Sequence, residues 1–104
     1  MKFYEVTAAQ LTNSNNPFST LSAMIGARNF GYSESDMSFQ FHFKGCRKVN
    51  AVRIVLNSRD LYDVEFYKIA NGGLEVNKVC GADDLFADDL KDYFEHTTGL
   101  YLSL

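Results

Sequence analysis

Met37-Ser-Phe-Gln-Phe-His-Phe-Lys44 alternates apolar and polar residues without a break. In an extended chain successive side chains point to opposite faces, so Met37, Phe39, Phe41 and Phe43 share one face and Ser38, Gln40, His42 and Lys44 the other. That pattern describes a half-buried β-strand. Three phenylalanines on one side of one strand need a dry surface opposite them, and the flanking sequence supplies it.

Downstream, Val49 to Asn57 reads as a second strand, with Val52, Ile54 and Leu56 facing the core and Arg53 opposite. The polar run Asn57-Ser-Arg-Asp60 is turn chemistry. Tyr62, Val64 and Phe66 mark a further strand whose other face carries Asp63, Glu65 and Tyr67. Asn71-Gly72-Gly73 is the strongest turn signal in the chain, because glycine accepts positive φ without steric cost. Leu74 and Val76 then suggest a last, shorter strand. Upstream, Phe30 and Tyr32 alternate before Ser33-Glu-Ser-Asp36, which predicts a short hairpin into the Met37 strand.

Helical patterns stand at both ends. Pro17 suits a first helical position and Asn16 its cap, and Phe18, Leu21, Met24 and Ile25 recur at helical spacing, predicting a helix over about Pro17 to Ala27. Asp83 and Asp84 offer a cap and first-turn acids favoured by the helix dipole. Phe86, Leu90, Tyr93, Phe94 and Thr97 then form one stripe, and Gly99 stops the helix after His96, predicting a second helix over about Asp83 to Thr98. Leu100, Leu102 and Leu104 alternate beyond it, as a short strand or a staple of the helix end. Residues 1–16 read two ways, as a strand starting at Phe3, Tyr4 and Val6 or as a helical turn over Thr7 to Leu11, and they are expected to form a loosely attached N-terminal segment.

The fold class is therefore α+β: an antiparallel β-meander of four to five strands, with an N-terminal and a C-terminal helix packed on one face. A length of 104 residues supports one ordinary core, so residues 1–104 form a single domain. Composition agrees, with 46% hydrophobic and 22% charged residues, close to the globular average and far from a disordered chain. The face away from the helices would show Gln40, His42, Arg53, Val55, Asp63, Glu65, Tyr67, Glu75 and Asn77.

Three stretches also resemble small uncharacterised proteins of phages and prophage-like elements of gut bacteria: Met24-Ile-Gly-Ala-Arg-Asn-Phe30, Asp60-Leu-Tyr-Asp-Val-Glu-Phe66 and Leu90-Lys-Asp-Tyr-Phe-Glu-His-Thr-Thr-Gly-Leu-Tyr-Leu-Ser-Leu104. The resemblance runs from about Leu21 onward and implies a mobile-element origin in a bacterial cytoplasm. It carries no activity and no site residues.

No apolar run approaches the roughly 20 residues of a membrane span, and the start lacks the apolar core of a signal peptide, so a soluble, cytoplasmic protein with no membrane partner is expected. Two cysteines are too few for a disulfide framework and fit a reducing compartment, although one bridge between Cys46 and Cys80 stays open. The net charge of −3 is unevenly spread. Between Gly81 and Gly99, six acidic residues face only Lys91, while Lys44, Arg47 and Lys48 cluster at one turn.

The chemistry-bearing residues give no reaction centre. His42, Cys46, Cys80 and His96 are zinc ligand types, but they lack a Cys-x-x-Cys pair and the spacing of a finger, so no metal or other cofactor is expected. Cys80 before a helix start invites a lowered thiol pKa, which Asp83 and Asp84 oppose. No nucleophile elbow is present, and the expectation is a non-enzymatic protein. The order helix, three strands, helix also fits a double-stranded-RNA-binding domain, but Asp83 and Asp84 stand where phosphate-binding lysines belong. What remains is an interaction surface: an acidic ridge of Asp84, Asp88, Asp92 and Glu95 facing a basic protein, or the open sheet face binding a protein partner or a second copy. The alternative is phosphate contact by Lys44, Arg47 and Lys48 in weak nucleic-acid binding.

Overall fold

The phenylalanine-rich stretch forms β2, Ser38–His42, in a computed structural model that describes residues 2–102. Phe39 and Phe41 are buried, and Phe43 follows them inward just past the strand, its N–H bonded to the Asn50 carbonyl at 2.9 Å. Met37 departs from the expected alternation. Its φ of 53° places it in the turn before β2, half-buried, because a left-handed residue cannot continue a pleated ladder.

Around β2 stand β1 (Arg28–Ser33), β3 (Ala51–Leu56), β4 (Tyr62–Ala70) and β5 (Glu75–Leu85). They pair in sequence order, every neighbour antiparallel, so the sheet is a five-stranded meander. Register brings the apolar rows together: Phe41 opposite Val52, Val52 opposite Phe66, Phe39 opposite Ile54, Ile54 opposite Val64. The Asn71-Gly-Gly73 turn between β4 and β5 falls where expected, with positive φ at all three residues.

Three helices cover this one face. α1 (Phe3–Thr12) buries Thr7, Ala8, Leu11 and Thr12; α2 (Pro17–Ile25) buries Leu21 and Ile25; α3 (Ala87–Thr98) buries Leu90, Phe94 and Thr98 at successive i, i+4 positions. Residues Phe3–Thr12 are thus an integral helix against α2 and α3 and not a loose segment. Tyr62 of β4 donates to the Gln10 side chain of α1, and the Tyr4 ring of α1 stacks on Tyr32 of β1 with centroids 4.1 Å apart.

Two boundaries at the C-terminal end differ from expectation. β5 runs through Asp83 and Asp84, and α3 begins only at Ala87, leaving Phe86 at the cap and 62% exposed instead of on the buried stripe. The cap preference of the two aspartates loses to hydrogen bonds from distant residues. Asp84 N–H donates to Asp63 Oδ1 at 3.0 Å, and Asn57 Nδ2 donates to Asp84 Oδ1 at 2.8 Å. Gly81 permits the close pairing that extends β5, since a Cβ there would lie 2.5 Å from the Val64 carbonyl oxygen.

Leu100 packs on the core and Leu102 is buried, its N–H bonded to Glu95 Oε2 at 2.7 Å, so the tail acts as a staple; Leu104 lies outside the described residues. Among the described residues no helix is long and apolar enough to cross a membrane.

Phe94 joins α3 to the sheet, with its ring centroid 5.2 Å from Phe43 and 5.6 Å from Phe66. Phe94→Ala is expected to lower unfolding free energy by about 3–5 kcal/mol, read by urea denaturation, a large share of the ~5–15 kcal/mol of a typical domain.

Candidate functional site on the helix-free sheet face

Side chains that alternate with the buried row face away from the helices. Gln40 of β2, Arg53 of β3 and Glu65 of β4 stand side by side across the sheet by register. The next row is His42, Ala51, Tyr67 and Lys78. Ala51 is the only residue of this row without a long side chain, and the missing bulk leaves a hollow of about 350 Å³ whose walls include Gln40, His42, Arg53, Tyr67, Ile69 and Val76. Its far edge is held by Asn50. The Asn50 amide donates to the Ile69 carbonyl and accepts from the Ile69 N–H, both at 2.8 Å, so one side chain adds a rung to the ladder beyond β3.

Val76 reaches this face because β5 carries a bulge at Val79. Phe66 pairs with Cys80, but Tyr67 pairs with Lys78, and the extra residue between them inverts the alternation. Val76 therefore stands opposite Ile69 on the helix-free face, while Glu75 and Asn77, expected there from simple alternation, turn to the other side.

The charges on the face neutralise one another. Glu65 Oε1 lies 3.1 Å from Arg53 Nη1 and its Oε2 3.3 Å from Lys78 Nζ, with Asp36 3.9 Å from the other arm of Arg53. Burial by itself raises the Glu65 carboxyl, but hydrogen bonds from Lys78 and Arg53 outweigh it and hold the group below its ordinary value of 4.5. Burial, then the charge of Glu65 and a hydrogen bond to it, push the Tyr67 hydroxyl up. His42 Nδ1 takes a hydrogen bond from the Asn29 amide at 3.2 Å.

The acidic residues do not form one ridge. Asp84 lies on β5 with a φ of 59°, its carboxylate 3.0 Å from Arg59 and bonded by Asn57. Glu95 is occupied with the Leu102 N–H. Asp88 and Asp92 remain exposed on α3, beside a groove shared with Gln10, Asn13 and Lys91. Lys44, Arg47 and Lys48 occupy the loop between β2 and β3, all exposed and without an ion pair among the described residues; the Lys44 stem lies along Gly26 at the end of α2. Cys46 and Cys80 are free thiols packed at the core margin. His96 is exposed, and the described residues hold no group of three or more His, Cys, Asp or Glu placed to bind a metal ion.

No protein-family model, curated protein or solved structure matches the chain.

The depressed carboxyl of Glu65 ties stability to pH. Its folded value lies below the unfolded one, so its contribution is present above about pH 4.5 and is lost as pH falls through the folded value. Glu65→Gln is expected to be less stable than wild type at neutral pH, with the difference closing as the solution is acidified. Parallel urea titrations at several pH values check this.

Proposed function

We propose that the protein is a non-enzymatic interaction module that binds a protein partner through the helix-free sheet face. The hollow over Ala51 carries this reading: it combines an apolar floor and edge, from Ala51, Ile69 and Val76, with polar groups on its rim. Interfaces need that combination, a desolvated centre inside a polar border. The nearby charged groups are already paired in the free chain, so docking over them leaves no isolated charge buried. Catalysis finds less support, since His42 is bonded to Asn29 and the carboxylate of Glu65 is held by two cations. The bacterial mobile-element setting belongs to the same proposal.

The acidic residues support a separate docking surface less well, because Asp84 and Glu95 already serve the fold. The test is a photo-crosslinking residue placed at Val76, at Asp92 or at Arg47 in turn, exposed to a bacterial lysate and to the purified chain alone. Covalent adducts from position 76, with another protein or with the chain itself, are the expected result. Adducts from position 92 or 47 alone, or from none, overturn the reading.

A second reading has one specific support: the three exposed cations of the β2–β3 loop, Lys44, Arg47 and Lys48, lack ion-pair partners among the described residues. Phosphate contact by this tip predicts weak binding to a single-stranded oligonucleotide at low salt, lost in Arg47→Glu and falling steeply with ionic strength. Fluorescence anisotropy measures it, and no binding at low salt removes this reading.

A further inference from the structure

We propose that the hollow over Ala51 takes an acidic segment of the partner protein, with one large apolar side chain seated in the hollow and Asp or Glu residues beside it. The proposal rests on the reading of the sheet face as an interaction surface and adds the chemistry of what covers it.

The hollow lies at the end of the sheet where β2 gives way to β3. His42, the last residue of β2, pairs with Ala51, the first of β3, so the loop that joins them leaves from the wall of the hollow itself. The Asn50 side chain ties the far end of that loop to Ile69. Lys44, Arg47 and Lys48 stand on the loop, all exposed. Arg28 stands opposite His42 on β1, exposed on the same face. None of these four cations forms an ion pair among the described residues.

Arg53, Lys78, Glu65 and Asp36 balance one another, so the four unpaired cations are an uncompensated excess at this end of a chain whose net charge is −3. Glu75 does not offset it, because pairing with Ala70 places it on the other side of the sheet. Charges on one loop and on the strands it joins act together over a Debye length of about 10 Å at 0.1 M salt, so the hollow sits in a positive field.

The hydrogen-bonding groups agree with the charge. The Asn29 amide donates to His42 Nδ1, so the neutral imidazole keeps its proton on Nε2 and stands at the wall as a donor. Arg53 adds guanidinium donors, whereas the Tyr67 hydroxyl is taken up by Glu65. A wall of donors in a positive field is complemented by carboxylates, and the aliphatic edge of Ile69 and Val76 by an apolar side chain between them.

A nucleic-acid strand would meet the same charge, but its bases need exposed aromatic faces to stack on. The two polar rings at the hollow, His42 and Tyr67, are half-buried and tethered to Asn29 and Glu65, while the exposed edge at Val76 is aliphatic. The hollow therefore suits a peptide side chain better than a base.

A displayed library of random peptides tests the proposal, panned in parallel on the full wild-type chain and on Val76→Ser, which removes the apolar edge without adding charge. Peptides held by wild type and weakened on Val76→Ser are expected to be enriched in Asp and Glu around one large apolar residue. A synthetic peptide of the selected sequence is expected to bind more weakly as salt rises. The double variant Arg28→Glu with Arg47→Glu is expected to raise its dissociation constant by at least about ten-fold, with an unchanged far-ultraviolet circular dichroism spectrum. Selected peptides that are neutral or basic, the absence of any retained peptide, or binding indifferent to Val76→Ser or to the charge reversal overturns the proposal. Displacement of the peptide by oligothymidine at a lower concentration than the peptide itself needs also overturns it, and assigns the charge to nucleic acid. If the proposal fails while position 76 still forms protein adducts, the sheet-face reading stands and only the acidic occupant is removed; if both fail, the sheet face goes with it.

Discussion

The Phe94 ring meets Phe41, Phe43 and Phe66 at centroid separations of 6.3, 5.2 and 5.6 Å, and this contact of one helix with β2, the residue just past it and β4 decides the rest of the molecule. Aromatic groups of this size bury large areas and favour tilted or edge-on packing, so they hold α3 at a fixed angle as well as a fixed distance. α1 then packs on α3, and α2 on α1. All three helices are drawn to the phenylalanine side, which is why the opposite face has no cover of its own.

That division explains where polar chemistry sits. Arg53, Glu65, Lys78 and Tyr67 form a linked set on the uncovered face, where water screens them and each pair is worth little by itself. Their combined effect is to leave the apolar hollow as the feature of that face without an internal partner. At the opposite end of β4, Asn57, Asp63, Asp84 and Arg59 make a second polar set that closes the β3–β4 turn onto β5. Acidic residues close together in sequence are thereby assigned to separate tasks.

The meander was legible because its signals are local. Alternation from Ser38 to Phe43, the Val52 and Ile54 pair, Pro17 and the Asn71-Gly-Gly73 turn each act within a few residues, and the structure follows them. The start of α3 was not legible because Asp84 is held by Asn57 and Asp63, more than twenty residues away, and these bonds outweigh its value as a cap. α1 was legible only as one of two readings, a helical turn over Thr7 to Leu11, because its amphipathic pattern is weak and packing on its neighbours makes it a stable helix. The hollow depended on two details. Ala51 in a strand of larger residues was a readable sign, whereas the bulge at Val79, which brings Val76 to the face, follows from pairing with β4 and has no local signature.

The bulge at Val79 also bears on how such a surface can change over generations. Removing that one residue would let Lys78 follow Cys80 directly and still stand opposite Tyr67, so Asn77, Val76 and Glu75 would keep their partners and Val76 its place on the uncovered face. Cys80 and the residues after it would keep their places. Loss of that single codon would leave both the aromatic core and the apolar edge of the hollow as they are, so the fold carries a point where chain length can vary while its recognition chemistry is inherited unchanged.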